Sequence, residues 1–154
     1  MSGRSPRPTR ADYLVWRRAT TRWADDDAYG HMNNATYYEL FDTAVNAHLF
    51  EATGVNVREL AAIGVVAETS CRYFREIGFP APVDMGLAVE RLGTSSVIYR
   101  IGLFQGESEE AAAEGRFVHV YVDNTSGRAS GGGRSVQPVP EQIRAVVSSL
   151  TRPA

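Results

Sequence analysis

The chain has 154 residues, enough for one domain burying roughly 68–70% of the surface its unfolded form exposes. Its formal net charge is −2 and all 16 basic residues are arginine, so nothing overall basic argues for nucleic acid or an anionic membrane, and lysine chemistry (Schiff bases, a Walker-type phosphate loop) is excluded. A single cysteine, Cys71, rules out an intrachain disulfide, and no run approaches the about 20 apolar residues of a membrane span, so a soluble cytoplasmic protein is expected.

Residues 1–12 are polar, contain proline and arginine, and are expected to form a disordered tail ahead of a single domain over 13–151. Val15 to Trp23 mixes β-branched, aromatic and arginine residues, as a strand with one wet face does. A tight acidic turn at Gly30 follows, and Asn33 or Asn34 then caps a helix running to about Thr53. Its apolar stripe comprises Tyr37, Leu40, Phe41, Ala44, Val45, His48 and Leu49, with Tyr38 beside it, which predicts a largely buried helix. Gly54 ends it as a C-cap.

Four β-rich runs come next: Ile63 to Phe74, Val83 to Leu92, Ser96 to Phe104 and Arg116 to Asp123. The acidic stretch Glu107–Glu114 between the last two reads as a solvated loop. Ala129 to Val139 suggests a short last strand, and Pro140 to Leu150 a final helix with proline in its first turn. One helix followed by antiparallel strands is an α+β pattern, most simply a sheet wrapped around that helix.

The segment Asp25 to Tyr38, reading DDDAYGHMNNATYY, carries the chemistry. A turn leading into a helix start can set a carboxylate beside free backbone N–H groups, the minimum needed to polarise and hydrolyse a reactive acyl compound. Aspartates also make turns and caps without any catalytic duty, which is the favoured reading of Asp26. His31 could orient substrate, shuttle a proton or tie down the loop. His48 and His119 read as packed or satisfied histidines, and Cys71 as a small core residue. Asp25, Asp27 and Gly30 match three positions of a calcium loop, but Thr36 stands where its bidentate glutamate belongs, and no His/Cys spacing fits zinc. The glycine-rich stretch from Ser126 to Arg134 lacks the Gly-Lys-Ser/Thr of a phosphate loop and reads as a turn.

Three stretches, Arg22–Asp42, Ser70–Val97 and Glu114–Asp123, resemble the hotdog-fold thioesterases, in particular the 4-hydroxybenzoyl-CoA thioesterase-like acyl-CoA hydrolases. The resemblance covers about residues 14–150 and is most specific in the first stretch. It implies a hotdog fold, an antiparallel sheet around one long buried helix. It also implies an active site at a homodimer interface, with dimers often pairing into homotetramers. The family's Asp-x-Asp and following glycine fall on Asp25, Asp27 and Gly30, which implies Asp27 as the catalytic carboxylate, whether general base or nucleophile. The carbonyl-polarising backbone N–H falls on Asn34.

From the same resemblance the acyl chain would lie along the helix, touching Tyr37 and Phe41, and against the partner subunit. Where relatives carry basic residues for coenzyme A phosphates, this chain reads Gly93-Thr94-Ser95-Ser96, so Thr94, Ser95 and Ser96 are the candidate contacts, with Arg91 nearby. The substrate carrier is coenzyme A or an acyl carrier protein, and no metal or other cofactor is expected. Two alternatives stay open: a hydratase or dehydratase acting on 3-hydroxyacyl thioesters through Asp27 and His31, and a non-catalytic acyl-thioester-binding module.

Overall fold

A computed structural model describes residues 6–125 and 134–152. Helix α1 (Asn34–Thr53) packs against a five-stranded antiparallel sheet. The strands are β1 (Val15–Ala19), β2 (Ala62–Tyr73), β3 (Val83–Leu92), β4 (Ser96–Phe104) and β5 (Ala113–Asp123), in spatial order β1-β3-β4-β5-β2. Short helix α2 (Glu141–Ser148) docks its buried Ile143 and Val147 beside α1 and β3. The expected α+β hotdog architecture is the observed one.

Strand register sorts the side chains by face. Gly115, Phe117, His119 and Tyr121 of β5 face α1, with Ile101 and Tyr99 of β4 opposite Gly115 and Phe117. The core lies between this face and Tyr37, Phe41, Ala44, Val45 and Leu49 of α1. Leu40 and His48 of the expected stripe are only partly buried. Asn33 caps α1, its side chain accepting the Ala35 N–H at 2.9 Å, and Gly54 closes it in the left-handed region at φ 72°.

Several boundaries differ from expectation. β1 ends at Ala19 instead of Trp23, because the Asp25 carboxylate bonds the Arg22 N–H (2.7 Å) and guanidinium (2.8 Å) and folds Trp23–Asp25 into a 3-10 turn. β5 begins at Ala113, so the acidic stretch is only partly a solvated loop: Ala111 to Gly115 are buried, Glu114 among them at 4% exposure. Pro140 is the cap of α2 and lies outside its first turn. Of the expected last strand, residues 129–133 lie outside the described residues, and Val136 makes one isolated bridge to Val122.

The tail is anchored from Pro8 onward, which corrects the expectation of disorder for that part. The Pro8 carbonyl accepts the Ala111 N–H at 2.8 Å, and the Arg10 side chain donates to the Ser108 and Gly106 carbonyls at 2.9 and 3.0 Å. Tyr13 then lies over Gly86 and Gly102 on the sheet face opposite α1, where a β-carbon would meet its ring at 2.7 and 2.4 Å. Its hydroxyl donates to buried Glu114, which also takes Arg72, Arg100 and Arg152 at 3.3–3.4 Å. That is why a carboxylate is tolerated under the tail.

Candidate active site

The loop from Asp25 to Asn33 is a miniature hairpin. The Asn33 N–H donates to the Asp25 carbonyl at 2.8 Å, Asp26 bridges Met32, and the Asp27 N–H donates to the His31 carbonyl at 2.8 Å. Gly30 supplies the positive φ, 80°, that the reversal needs. These rungs place Asp27 near the tip of the hairpin, opposite His31. Asp26 fixes the loop from outside, its carboxylate accepting the Phe79 N–H at 3.2 Å, while the Met32 N–H donates to the Ile77 carbonyl at 2.8 Å.

The three consecutive aspartates therefore do three different things. Asp25 is buried on Arg22, Asp26 staples the loop to the β2–β3 connection, and Asp27 is exposed at the tip. Asp27 Oδ1 accepts the N–H groups of Tyr29 (2.8 Å) and His31 (3.3 Å), while Oδ2 takes no hydrogen bond from the described residues. Two backbone donors hold one oxygen and leave the other open for chemistry.

At the helix start, Asn33 takes the Ala35 N–H on its side chain and the Thr36 N–H on its carbonyl. The Asn34 N–H meets no acceptor among the described residues, so it remains available at the positive end of the α1 dipole.

The remaining site residues are distributed unevenly. His31 turns its Nε2 to Glu76 at 2.9 Å and meets Asp27 only through its backbone N–H and carbonyl, so the two side chains do not form a pair. Tyr37 is 3% exposed and packs edge-on against Tyr73 of β2, ring centroids 4.9 Å apart. Burial, then Cys71 and Glu76, push its phenol up to about 12. Phe41 is fully buried over Gly115, a core position behind Tyr37. Burial likewise raises the Cys71 thiol to about 11, which suits a packed residue and not a nucleophile.

Thr94, Ser95 and Ser96 form the β3–β4 turn. Their carbonyls are occupied: Thr94 accepts the Val139 N–H at 2.9 Å, Ser95 the Tyr121 N–H at 2.8 Å, and Ser96 the Gly93 N–H at 2.8 Å. Sequence reading missed that α2 brings a cation there. Arg144 Nη2 donates to the Gly93 and Thr94 carbonyls at 2.8 and 3.2 Å. Only the amphipathic pattern of α2 hinted at it, since a separation of 51 residues hides the contact.

The profile of the thioesterase-like superfamily matches residues 21–147. The chain belongs to that family. The PA5185 protein of Pseudomonas aeruginosa is 44% identical, with 97% of this chain and 99% of that one covered and a TM-score of 0.86. The PA2801 protein of the same organism is 31% identical, covering 88% and 98%, with a TM-score of 0.75. A gentisyl-coenzyme A thioesterase, BH1999, shares the fold at 20% identity, covering 86% and 99%, with a TM-score of 0.71. Family membership makes this chain a thioester hydrolase in general terms. Among the described residues no helix is long and apolar enough to cross a membrane.

Proposed function

We propose that the chain hydrolyses an acyl-coenzyme A thioester, with Asp27 as general base or nucleophile and the Asn34 N–H as the carbonyl-polarising donor. What supports this reading is the loop ahead of α1: it carries a carboxylate with one oxygen free of partners among the described residues, and the helix it leads into starts with an unpaired N–H. On the general-base route Asp27 takes a proton from water as the water oxygen bonds to the thioester carbon. The carbonyl electron pair moves onto oxygen, where the Asn34 N–H holds it, and collapse expels the thiolate, which takes up the proton. On the nucleophilic route Asp27 forms a mixed anhydride as the thiolate leaves, and water cleaves the anhydride. Neither route requires a metal or redox cofactor; coenzyme A enters as part of the substrate.

The carrier fits coenzyme A because Arg144 adds a positive charge to the β3–β4 turn, where Thr94, Ser95 and Ser96 offer hydroxyls. The gentisyl-coenzyme A thioesterase, by its name, acts on such a thioester. The hydratase alternative loses support in its Asp27/His31 form, because the His31 imidazole pairs with Glu76 and not with Asp27.

The working unit in this reading is a homodimer, able to pair further into a tetramer. β2 is a long edge strand whose outer side no strand among the described residues covers, with Val65, Val66 and Tyr73 exposed. Such an edge is a template for pairing. Joining two copies antiparallel along β2 places the two-fold axis perpendicular to the sheet, so both α1 helices lie on one face.

Thiol release from short, long and aromatic acyl-CoA esters, run beside Asp27→Asn, tests the assignment. Turnover lost in a folded variant supports it, and turnover retained sinks the role of Asp27. Binding without turnover in the unmutated protein points to the non-catalytic module.

A further inference from the structure

On the sheet face opposite α1, beside the anchored tail, lies a cleft of about 450 Å³. Four arginines line it, Arg7, Arg72, Arg100 and Arg152, together with Pro6 and Pro8 of the tail. Its volume falls in the range of small-molecule sites. No residue placed in the catalytic loop or in the β3–β4 turn belongs to it.

The carboxylates of the cleft are already engaged. Glu114 accepts from the Tyr13 hydroxyl and from Arg72, Arg100 and Arg152. Glu90 pairs with Arg100 and, at 3.7 Å, with Arg116, and Asp12 accepts the Thr9 N–H at 2.8 Å. Two of the arginines are largely unspent. Arg7 makes no ion pair or side-chain hydrogen bond with the described residues, and the single bond of the Arg72 guanidinium is the one to Glu114, long at 3.4 Å. A charge-assisted bond of this type is ordinarily about 2.7–2.9 Å, so Glu114 does not satisfy Arg72.

One aromatic ring holds both of these guanidiniums. Arg7 Cζ lies 5.6 Å and Arg72 Cζ 5.3 Å from the Phe74 centroid. Stacking on a ring orients a guanidinium while leaving its N–H groups free. The two like charges border one space and repel each other, and an anion bonded to both removes that repulsion. A phosphate group suits the pair better than a carboxylate, because it brings more charge and one more acceptor oxygen to donors arriving from two side chains.

We propose that this cleft is a second ligand site, which takes a phosphate group through Arg7 and Arg72 and leaves the remaining volume to the body of an organic phosphate. It lies on the other face of the sheet from α1 and does not depend on the thioesterase reading. Because Arg7 belongs to the tail and Arg72 to β2, the ligand ties one to the other and stabilises the fold as it binds.

The test titrates the full chain calorimetrically with ADP, pyrophosphate and inorganic phosphate at low salt, where surface charge is least screened. Saturable binding is expected, weakened about tenfold or more in Arg72→Gln and in Arg7→Gln and kept within about twofold in Arg144→Gln. No saturable binding of any of the three overturns the proposal, as does binding that both Arg7→Gln and Arg72→Gln leave unchanged. Loss in Arg144→Gln alone overturns it too, by moving the phosphate to the β3–β4 turn. Tighter binding of ADP identifies an organic phosphate as the source, and parity with inorganic phosphate identifies the free ion.

Thermal unfolding supplies a second readout. ADP is expected to raise the midpoint of the unmutated chain and to leave that of Arg7→Gln, a tail substitution, unmoved; an equal rise in both counts against the site. Thiol release from acyl-CoA by Arg7→Gln and Arg72→Gln, measured without ADP, is expected to match the unmutated chain. A chain that binds ADP in this way and hydrolyses no thioester still carries the site, and an active thioesterase that fails the titration does not.

Discussion

The Phe41 ring occupies the space that a side chain on Gly115 would need: a β-carbon there would lie 2.4 Å from Phe41 Cε2. This contact sets how closely α1 approaches β5. Gly115→Ala forces the ring or the helix to move, and overpacking of this kind costs about 1–3 kcal/mol. Denaturant unfolding of the variant is expected to show a lower midpoint, and an unchanged midpoint means that the helix yields freely.

Asn34 is assigned through its main chain, and proline can test that assignment. The first residue of a helix tolerates proline because its N–H has no helical partner. Asn34→Pro is therefore expected to fold with nearly unchanged stability while kcat falls about 10²–10³-fold, the usual cost of losing an oxyanion donor. Asn34→Ala keeps the N–H and is expected to stay near full activity. Equal activity in the two variants removes the Asn34 N–H from the mechanism.

Glu114 is buried against Tyr13, with Arg72, Arg100 and Arg152 partly open to water around it. Burial and the Glu114 carboxylate both push the Tyr13 phenol up, so it stays a donor. Glu114→Gln is expected to cost about 1–3 kcal/mol, because the arginines can turn to solvent while the amide keeps only part of the bonding. Since Glu114 faces away from α1, kcat is expected to hold. A kcat loss larger than the loss of folded protein would tie this cluster to the site.

His119 gives stability a pH dependence of known sign. Its folded pKa, about 4, lies below the ordinary 6.5, so between these values the unfolded chain binds more protons than the folded one. The contribution is complete above pH 6.5 and is lost as pH falls toward 4, a swing of roughly 3 kcal/mol at most. Unfolding curves collected across that window are expected to be flatter for His119→Phe than for the unmutated chain. Parallel curves would mean that the ring is hydrated in the folded state.

By itself the sequence determined what short-range chemistry determines. Asn33, Gly54 and the three- and four-residue spacing of Tyr37, Phe41, Ala44 and Val45 bounded α1, because caps and periodicity act within a few residues. The β-rich composition of Val83–Leu92 and Ser96–Phe104, set between turn-like segments, bounded β3 and β4 for the same reason. Asp27, Gly30 and Asn34 were legible as a turn feeding a helix. Tertiary structure decided everything that depends on which distant groups meet. It divided three adjacent aspartates among a buried ion pair, a staple to Phe79 and a free tip. It buried Glu114 under a tail expected to be disordered, since the compensating Tyr13 and Arg152 lie 101 and 38 residues away. It carried Arg144 to the β3–β4 turn and left His119 unpaired above Gly64. Burial and charge pairing are properties of assembled surfaces, and local spacing carries no record of them.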